Sequence, residues 1–228
     1  MENKVPQVRS PESLATRAVE RALAERRASY AQEVSALLEA AFVLIRRNHQ
    51  LEPRVSEVIR EAGLSNQAFY RHFPSKQAFL VAVLDQGVRL LAGYLAHRMQ
   101  AAERPLEQVR AWLLGMLEQA LDPEAAAATR PFALARGRLA EAFPDEVAAS
   151  ERQLTALVQG AIRAAAAAGE IPPGDADRDA ESLYHLTMGW MQARLAEPGP
   201  ADRRDAERLV GFALAGLARG AGPPAGRG

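Results

Sequence analysis

The sequence has no cysteine, which removes disulfides, thiolate nucleophiles and cysteine-ligated zinc together and suits a reducing cytoplasm. Its opening MENKVPQVRSPES lacks the continuous apolar segment of a signal peptide. No run approaches the ~18 apolar residues of a membrane span. The expected setting is the cytoplasm, with no membrane partner. Catalytic signatures are missing too: there is no G-x-S-x-G, no H-E-x-x-H, no G-K-S/T loop and no Rossmann glycine pattern. Asp175-Ala176-Asp177-Arg178-Asp179 has the opening of a calcium loop, but the sixth position is Ala180 rather than glycine and the twelfth is Leu186 rather than glutamate, so these acids read as helix-start charges. The histidines, His49, His72, His97 and His185, share no ligand spacing. No catalytic residue, metal or cofactor is expected, and no enzyme.

Net charge is absent as well, which by itself speaks against a nucleic-acid partner. The distribution tempers that objection. Residues 1–76 carry 12 Lys+Arg against 9 Asp+Glu, and the remainder carries 16 against 19. The asymmetry has the sign that DNA binding needs, yet it is small, so a motif must carry any such assignment.

What is present is a chain of 228 residues, 48% apolar and 25% charged, long enough to bury a core unaided. Apolar residues recur at 3 and 4 residue spacing almost throughout, and no stretch reads as a strand. Ser10-Pro11-Glu12 is a helix start, and neither proline nor glycine follows before His49. Tyr30, Val34, Leu37, Leu38, Ala41, Phe42 and Ile45 mark a helix over about 29–48. Residues 1–28 read as a helical arm, either a solvated extension or one whose Arg17, Arg21, Arg26 and Arg27 touch DNA. After Ser75 a long helix runs to about Ala102. Further helices follow over 105–121, 124–143 (with a possible interruption near Pro131), 144–169, 177–197 and 202–219, and a Gly/Pro/Ala tail over 220–228 reads as disordered.

The most informative stretch is Arg54 to Gln77, RVSEVIREAGLSNQAFYRHFPSKQ. Val55, Val58 and Ile59 give the apolar face of one short helix, and Gly63 stops it, because glycine takes a left-handed backbone without a Cβ penalty. Ser65 caps a second helix over Asn66–His72. Ala68, Phe69 and Phe73 face inward there, leaving Asn66, Gln67, Tyr70 and Arg71 on the outer side, where groove contact would occur. Pro74 breaks that helix and Ser75 caps the next. This is a helix-turn-helix.

The segment GLSNQAFYRHFPSKQAFL resembles the signature of the TetR family of transcriptional regulators, with Tyr70, His72-Phe73 and Ser75-Lys76 at the family's characteristic places. The resemblance covers about Ser29–Leu80, and more loosely Arg138–Asp145 leading into a long helix. It implies an all-α fold with an N-terminal three-helix helix-turn-helix DNA-binding domain (29–76) and a C-terminal helical ligand-binding and dimerisation bundle (77–219). It also implies contact with a double-stranded DNA operator. Asn66 and Gln67 are then base-reading candidates, since an amide pairs bidentately with adenine, and Ala68 is a candidate for a thymine methyl. Ser65, Tyr70, His72 and Lys76 are candidates for phosphate, with Arg71 on the outer face. Two positions depart from the family. Arg54 stands where Ser or Thr is usual, so a guanidinium replaces the hydroxyl at the phosphate, and Ile59 stands where Ala is usual, which would widen the packing of the two short helices.

An effector pocket would be mostly apolar with few polar anchors. The candidates are Trp112, Met116, Phe132, Arg136, Gln153, Tyr184, His185 and Met188, each of which reads equally as plain core. They suit a small hydrophobic or aromatic effector. Gly189, Ala193, Gly211, Ala215 and Gly216 are small residues on the last two helices, serving either internal packing or, as the resemblance implies, a homodimer interface. The expected function is a ligand-responsive transcriptional regulator, a repressor released from its operator by a small molecule. The alternatives are a helical carrier or enzyme that keeps the fold, and a DNA-binding protein without ligand response.

Overall fold

The computed structural model describes residues 14–48, 50–197 and 203–219. Nine helices and no strand make up the described residues: α1 (Leu14–Asn48), α2 (Val55–Ala62), α3 (Asn66–His72), α4 (Lys76–Gln100), α5 (Pro105–Leu121), α6 (Pro123–Ala142), α7 (Pro144–Ala167), α8 (Ala176–Ala196) and α9 (Arg203–Arg219). The helix start expected at Ser10-Pro11-Glu12, His49 and the tail from Gly220 lie outside the described residues.

Two boundaries differ from expectation. The arm and the first helix are one unbroken element of 35 residues, because the alanine-, arginine- and glutamate-rich stretch between Leu14 and Asn48 holds no residue that stops a helix. In addition, α6 continues through Pro131. That proline deletes one bond to the carbonyl four residues back, but its ring is buried against the protein.

Local chemistry closes the other helix ends. Asp122 and Asp175 cap α6 and α8 by accepting from the N–H groups of Ala125 (2.8 Å) and Arg178 (3.2 Å). The N-terminus of α5 has no cap of its own at Arg104. Instead Glu170, just beyond α7, accepts from the Leu106 N–H at 2.7 Å and from Arg104 Nε at 3.0 Å. That backbone bond, and the arginine after it, hold the Glu170 carboxyl below its ordinary pKa.

The buried side chains form two cores. The first gathers Leu37, Leu44 and Ile45 of α1 with Val58, Phe69 and Phe79, and takes Ala135, Leu139 and Val147 from α6 and α7. The second is built on Leu95, Trp112, Leu113, Met116, Val158 and Met191. Helix α4 serves both, the first through Phe79 and Val83 and the second through Ala92, Leu95 and Met99. By length and composition alone, Val19–Asn48 and Lys76–Gln100 would suffice to cross a membrane, contrary to the expectation that no segment would. Leu37, Leu44 and Ile45 of the one and Phe79, Val83 and Leu95 of the other are buried in the two cores.

Candidate nucleic-acid interface and ligand cavity

The turn between α2 and α3 is held by backbone geometry. Gly63 sits at φ 65°, its N–H reaches the Arg60 carbonyl at 3.3 Å, and the Leu64 N–H reaches the Ile59 carbonyl at 2.9 Å. This pair of bonds is the Schellman stop that glycine favours. At the other end of α2 the Glu57 carboxylate accepts from the Arg54 N–H at 3.2 Å. The reciprocal hydroxyl bond of a capping box is missing, since arginine offers no acceptor. Ile59 is partly buried and packed on the first core.

Helix α3 starts at Ser65, whose Oγ accepts from the Ala68 N–H at 3.1 Å; its hydroxyl proton remains available. Phe69 is fully buried, with the rings of Phe73 and Phe79 at 5.7 and 5.1 Å and the Tyr70 ring edge-on at 5.2 Å. This aromatic packing orients α3. Tyr70 stays 51% exposed, and Ser65, Asn66 and Gln67 are exposed beside it.

The last turn of α3 is tied to α1. The Glu33 carboxylate receives both the Arg71 guanidinium and His72 Nε2, the latter at 2.6 Å. The Tyr30 ring lies edge-on to His72 at 5.2 Å, with the Arg71 guanidinium over its face at 5.2 Å. Hydrogen bonds from His72 first and Arg71 second hold the Glu33 carboxyl below its ordinary pKa. Three interface candidates are thus engaged within the chain. Ala68 is buried in the core and has no free methyl for a base; His72 is partly buried on Glu33; Arg71 is exposed but pairs with Glu33 of α1. Lys76, half-exposed, lies 3.1 Å from Glu52 at the edge of the outer face.

Beside this unit lies a cavity of about 1200 Å³. Its wall is mainly apolar and comes from α1 as well as from α4 to α8, with Arg203 of α9 at one side. Of the expected pocket residues it brings together Phe132, Arg136, Tyr184 and Met188. Trp112 and Met116 are fully buried in the second core, the indole N–H donating to the Leu154 carbonyl at 3.2 Å. Gln153 and His185 are exposed and do not line it. Arg136 is paired with Glu151, and its buried Nε has no partner. Burial first, then the Glu151 charge, raises the Tyr184 pKa and keeps its hydroxyl protonated. On the far side Glu118 accepts from Tyr94 Oη at 2.6 Å, from Arg98, and from Arg203 at 3.3 Å.

The sequence over residues 37–83 matches the model of the bacterial regulatory proteins of the tetR family. The chain is similar to that family over its helix-turn-helix. Solved TetR-family structures extend the likeness to the fold of nearly the whole chain. A putative transcriptional regulator from Rhodococcus sp. shares 22% identity, with a TM-score of 0.70 over 82% of this chain and 99% of that one. A regulator from Pectobacterium atrosepticum shares 23%, with a TM-score of 0.64 over 83% and 92%. A TetR transcription regulator from Haloarcula marismortui shares 17%, with a TM-score of 0.66 over 83% and 97%. No curated protein matches the sequence.

Within this fold, several participants escaped sequence reasoning. Glu33 sits on the polar side of α1, and nothing in its local pattern marks it as the anchor of α3. The α1 and α4 wall of the cavity, with Phe42, Val43, Leu90 and Leu91, carries apolar spacing that a core-facing stripe would share. Leu90 is in fact 58% exposed. On α8 and α9 the small residues Gly189, Ala193, Gly211, Ala215 and Gly216 are all exposed. A Cβ at Gly189, Gly211 or Gly216 would meet nothing within 4 Å, so their smallness does not serve packing within the chain. Phe212 stands among them at 71% exposure.

Proposed function

We propose that the protein is a homodimeric, ligand-responsive transcriptional repressor that acts in the cytoplasm on a two-fold symmetric operator. Residues 29–76 form the DNA-binding domain and 77–219 the effector and dimerisation domain, with the start of α1 as an arm. Asn66 and Gln67 read base edges, while Ser65, Tyr70, Lys76 and the Arg54 guanidinium hold phosphates. The exposed faces of α8 and α9 pair with those of a second copy, setting two α3 helices in successive major grooves about 34–36 Å apart.

The observation that carries this reading is the course of α4. It begins at the Ser75 cap directly after α3, where Ser75 Oγ accepts from the Ala78 N–H at 3.1 Å, and it lines the cavity farther along through Leu84, Val88 and Leu91. A ligand that binds more tightly to the arrangement with misplaced α3 helices releases DNA by population shift; one without that preference releases nothing. The test is selection from a random duplex pool. Enrichment of a palindrome by the wild type, lost in the Tyr70→Ala, Lys76→Ala variant, supports the reading, and enrichment of no sequence overturns it.

A further inference from the structure

We propose that the cavity takes an uncharged, largely apolar, ring-bearing ligand that touches α1 directly, so that the scaffold helix of the helix-turn-helix is itself part of the ligand site. This rests on the effector reading above and adds the class of the ligand and its contact with the DNA-binding unit.

The geometry of α1 comes first. Glu39, Phe42, Val43 and Arg46 all lie in the cavity wall, on the helix that carries Glu33, the anchor of α3. The Phe42 ring meets Phe132 of α6 at 6.3 Å, tilted by 41°. Gly87 of α4 also lines the cavity, and a Cβ placed there would lie 3.6 Å from the Phe42 ring. The missing side chain therefore leaves Phe42 open to an occupant from the α4 side. Two phenyl rings with an open third side suit an aromatic body, which aromatic edges and faces hold better than an alkyl chain of equal area. The volume of about 1200 Å³ lies above the ~300–1,000 Å³ of ordinary ligand clefts, so a polycyclic ligand has room.

The charges decide the class. Arg46 lies 3.7 Å from Glu124, Arg136 is bound to Glu151, and Arg203 lies 3.3 Å from Glu118. Among the acids, Glu118 is saturated by its three donors and Asp122 Oδ1 caps α6. Glu39 is exposed at the rim. Among the described residues of the wall, only the exposed carboxylates of Glu39 and Asp122 stand outside an ion pair, so a charged ligand held deeper would lose its hydration against charges already paired, while the unpartnered Arg136 Nε–H suits the carbonyl of an uncharged ligand.

The experiment is calorimetric titration of the full chain, without DNA, by three probes on one tricyclic frame: 9-fluorenone, fluorene-9-carboxylate and protonated 9-aminofluorene. Fluorenone is expected to bind at least ~10-fold more tightly than either charged probe. Gly87→Leu, which fills the space beside Phe42 with a better helix former than glycine, and Phe42→Leu are each expected to weaken fluorenone by about 10-fold or more. Circular dichroism checks that the variants fold, and Phe42→Leu carries the test should Gly87→Leu not fold. Equal or tighter binding of a charged probe overturns the ligand class. Wild-type affinity in the variants overturns the contact with α1, and no binding by any probe overturns the proposal. Fluorenone that binds as expected but leaves a selected duplex in place refutes the effector reading alone.

Discussion

Replacing Phe212 with aspartate should convert the dimer into folded monomers. The side chain is 71% exposed on α9, beside glycines whose absent side chains leave room for a close neighbour. A phenylalanine presents roughly 200 Å², so about 140 Å² stands free in one copy, and at ~25 cal/mol per Å² its burial contributes about 3.5 kcal/mol. In a two-fold interface the same change acts twice, giving an upper bound of about 7 kcal/mol, or five decades in the dissociation constant. Ordering costs and incomplete burial reduce that bound, and a rise of at least ~100-fold remains the expectation. Aspartate adds a desolvated charge on the same twofold. Sedimentation equilibrium over a wide concentration range reads the shift directly, and thermal unfolding of the dilute variant checks that the monomer persists. Operator affinity should fall with it, because two half-sites need two linked copies. An unchanged dissociation constant in Phe212→Asp would refute the α8–α9 assignment.

Two further perturbations probe the DNA-binding unit. At Gly63, φ is 65° and an added Cβ would meet no atom within 4 Å, so Gly63→Ala should cost only the left-handed backbone penalty of about 1–2 kcal/mol, read as a lower urea midpoint with an unchanged slope. Glu33 has its pKa lowered by His72 and then Arg71, so its stabilising contribution is present above the ordinary glutamate range and lost as pH falls through the lowered value. Urea midpoints measured at stepped acidic pH should fall more steeply for the wild type than for Glu33→Gln, and parallel curves would remove Glu33 as the anchor of α3.

How much could be read in advance follows from how local each feature is. Gly63, Ser65 and Ser75 act on backbone groups within five residues, so the turn, the caps and the order of the helices were legible from spacing alone. The same was true of the inward set around Phe69, because a seven-residue helix has only one buried face. The tie of Arg71 and His72 to α1 was not legible, for the opposite reason. Their partner Glu33 lies 38 and 39 positions away, and no periodicity encodes that meeting. The cavity shows the same limit. Phe132, Arg136, Tyr184 and Met188 were found as bulky or polar residues on apolar helices, but so were Trp112 and Met116, which close packing on α7 buries completely. Only the relative placement of α1, α4 and α6 separates lining from core. That the helix over 29–48 continues back to Leu14 was implicit in its lack of glycine and proline.

The central claim is that α3 reads DNA, and sequence selection by the wild-type protein and by Asn66→Ala, Gln67→Ala tests it most directly. The wild type should enrich a palindrome whose half-site centres lie about 10 base pairs, or a multiple, apart. The double variant should still bind through its phosphate contacts while losing discrimination at the positions those amides read. Enrichment of the same sequence by both proteins with equal stringency, or of none by either, would contradict the account.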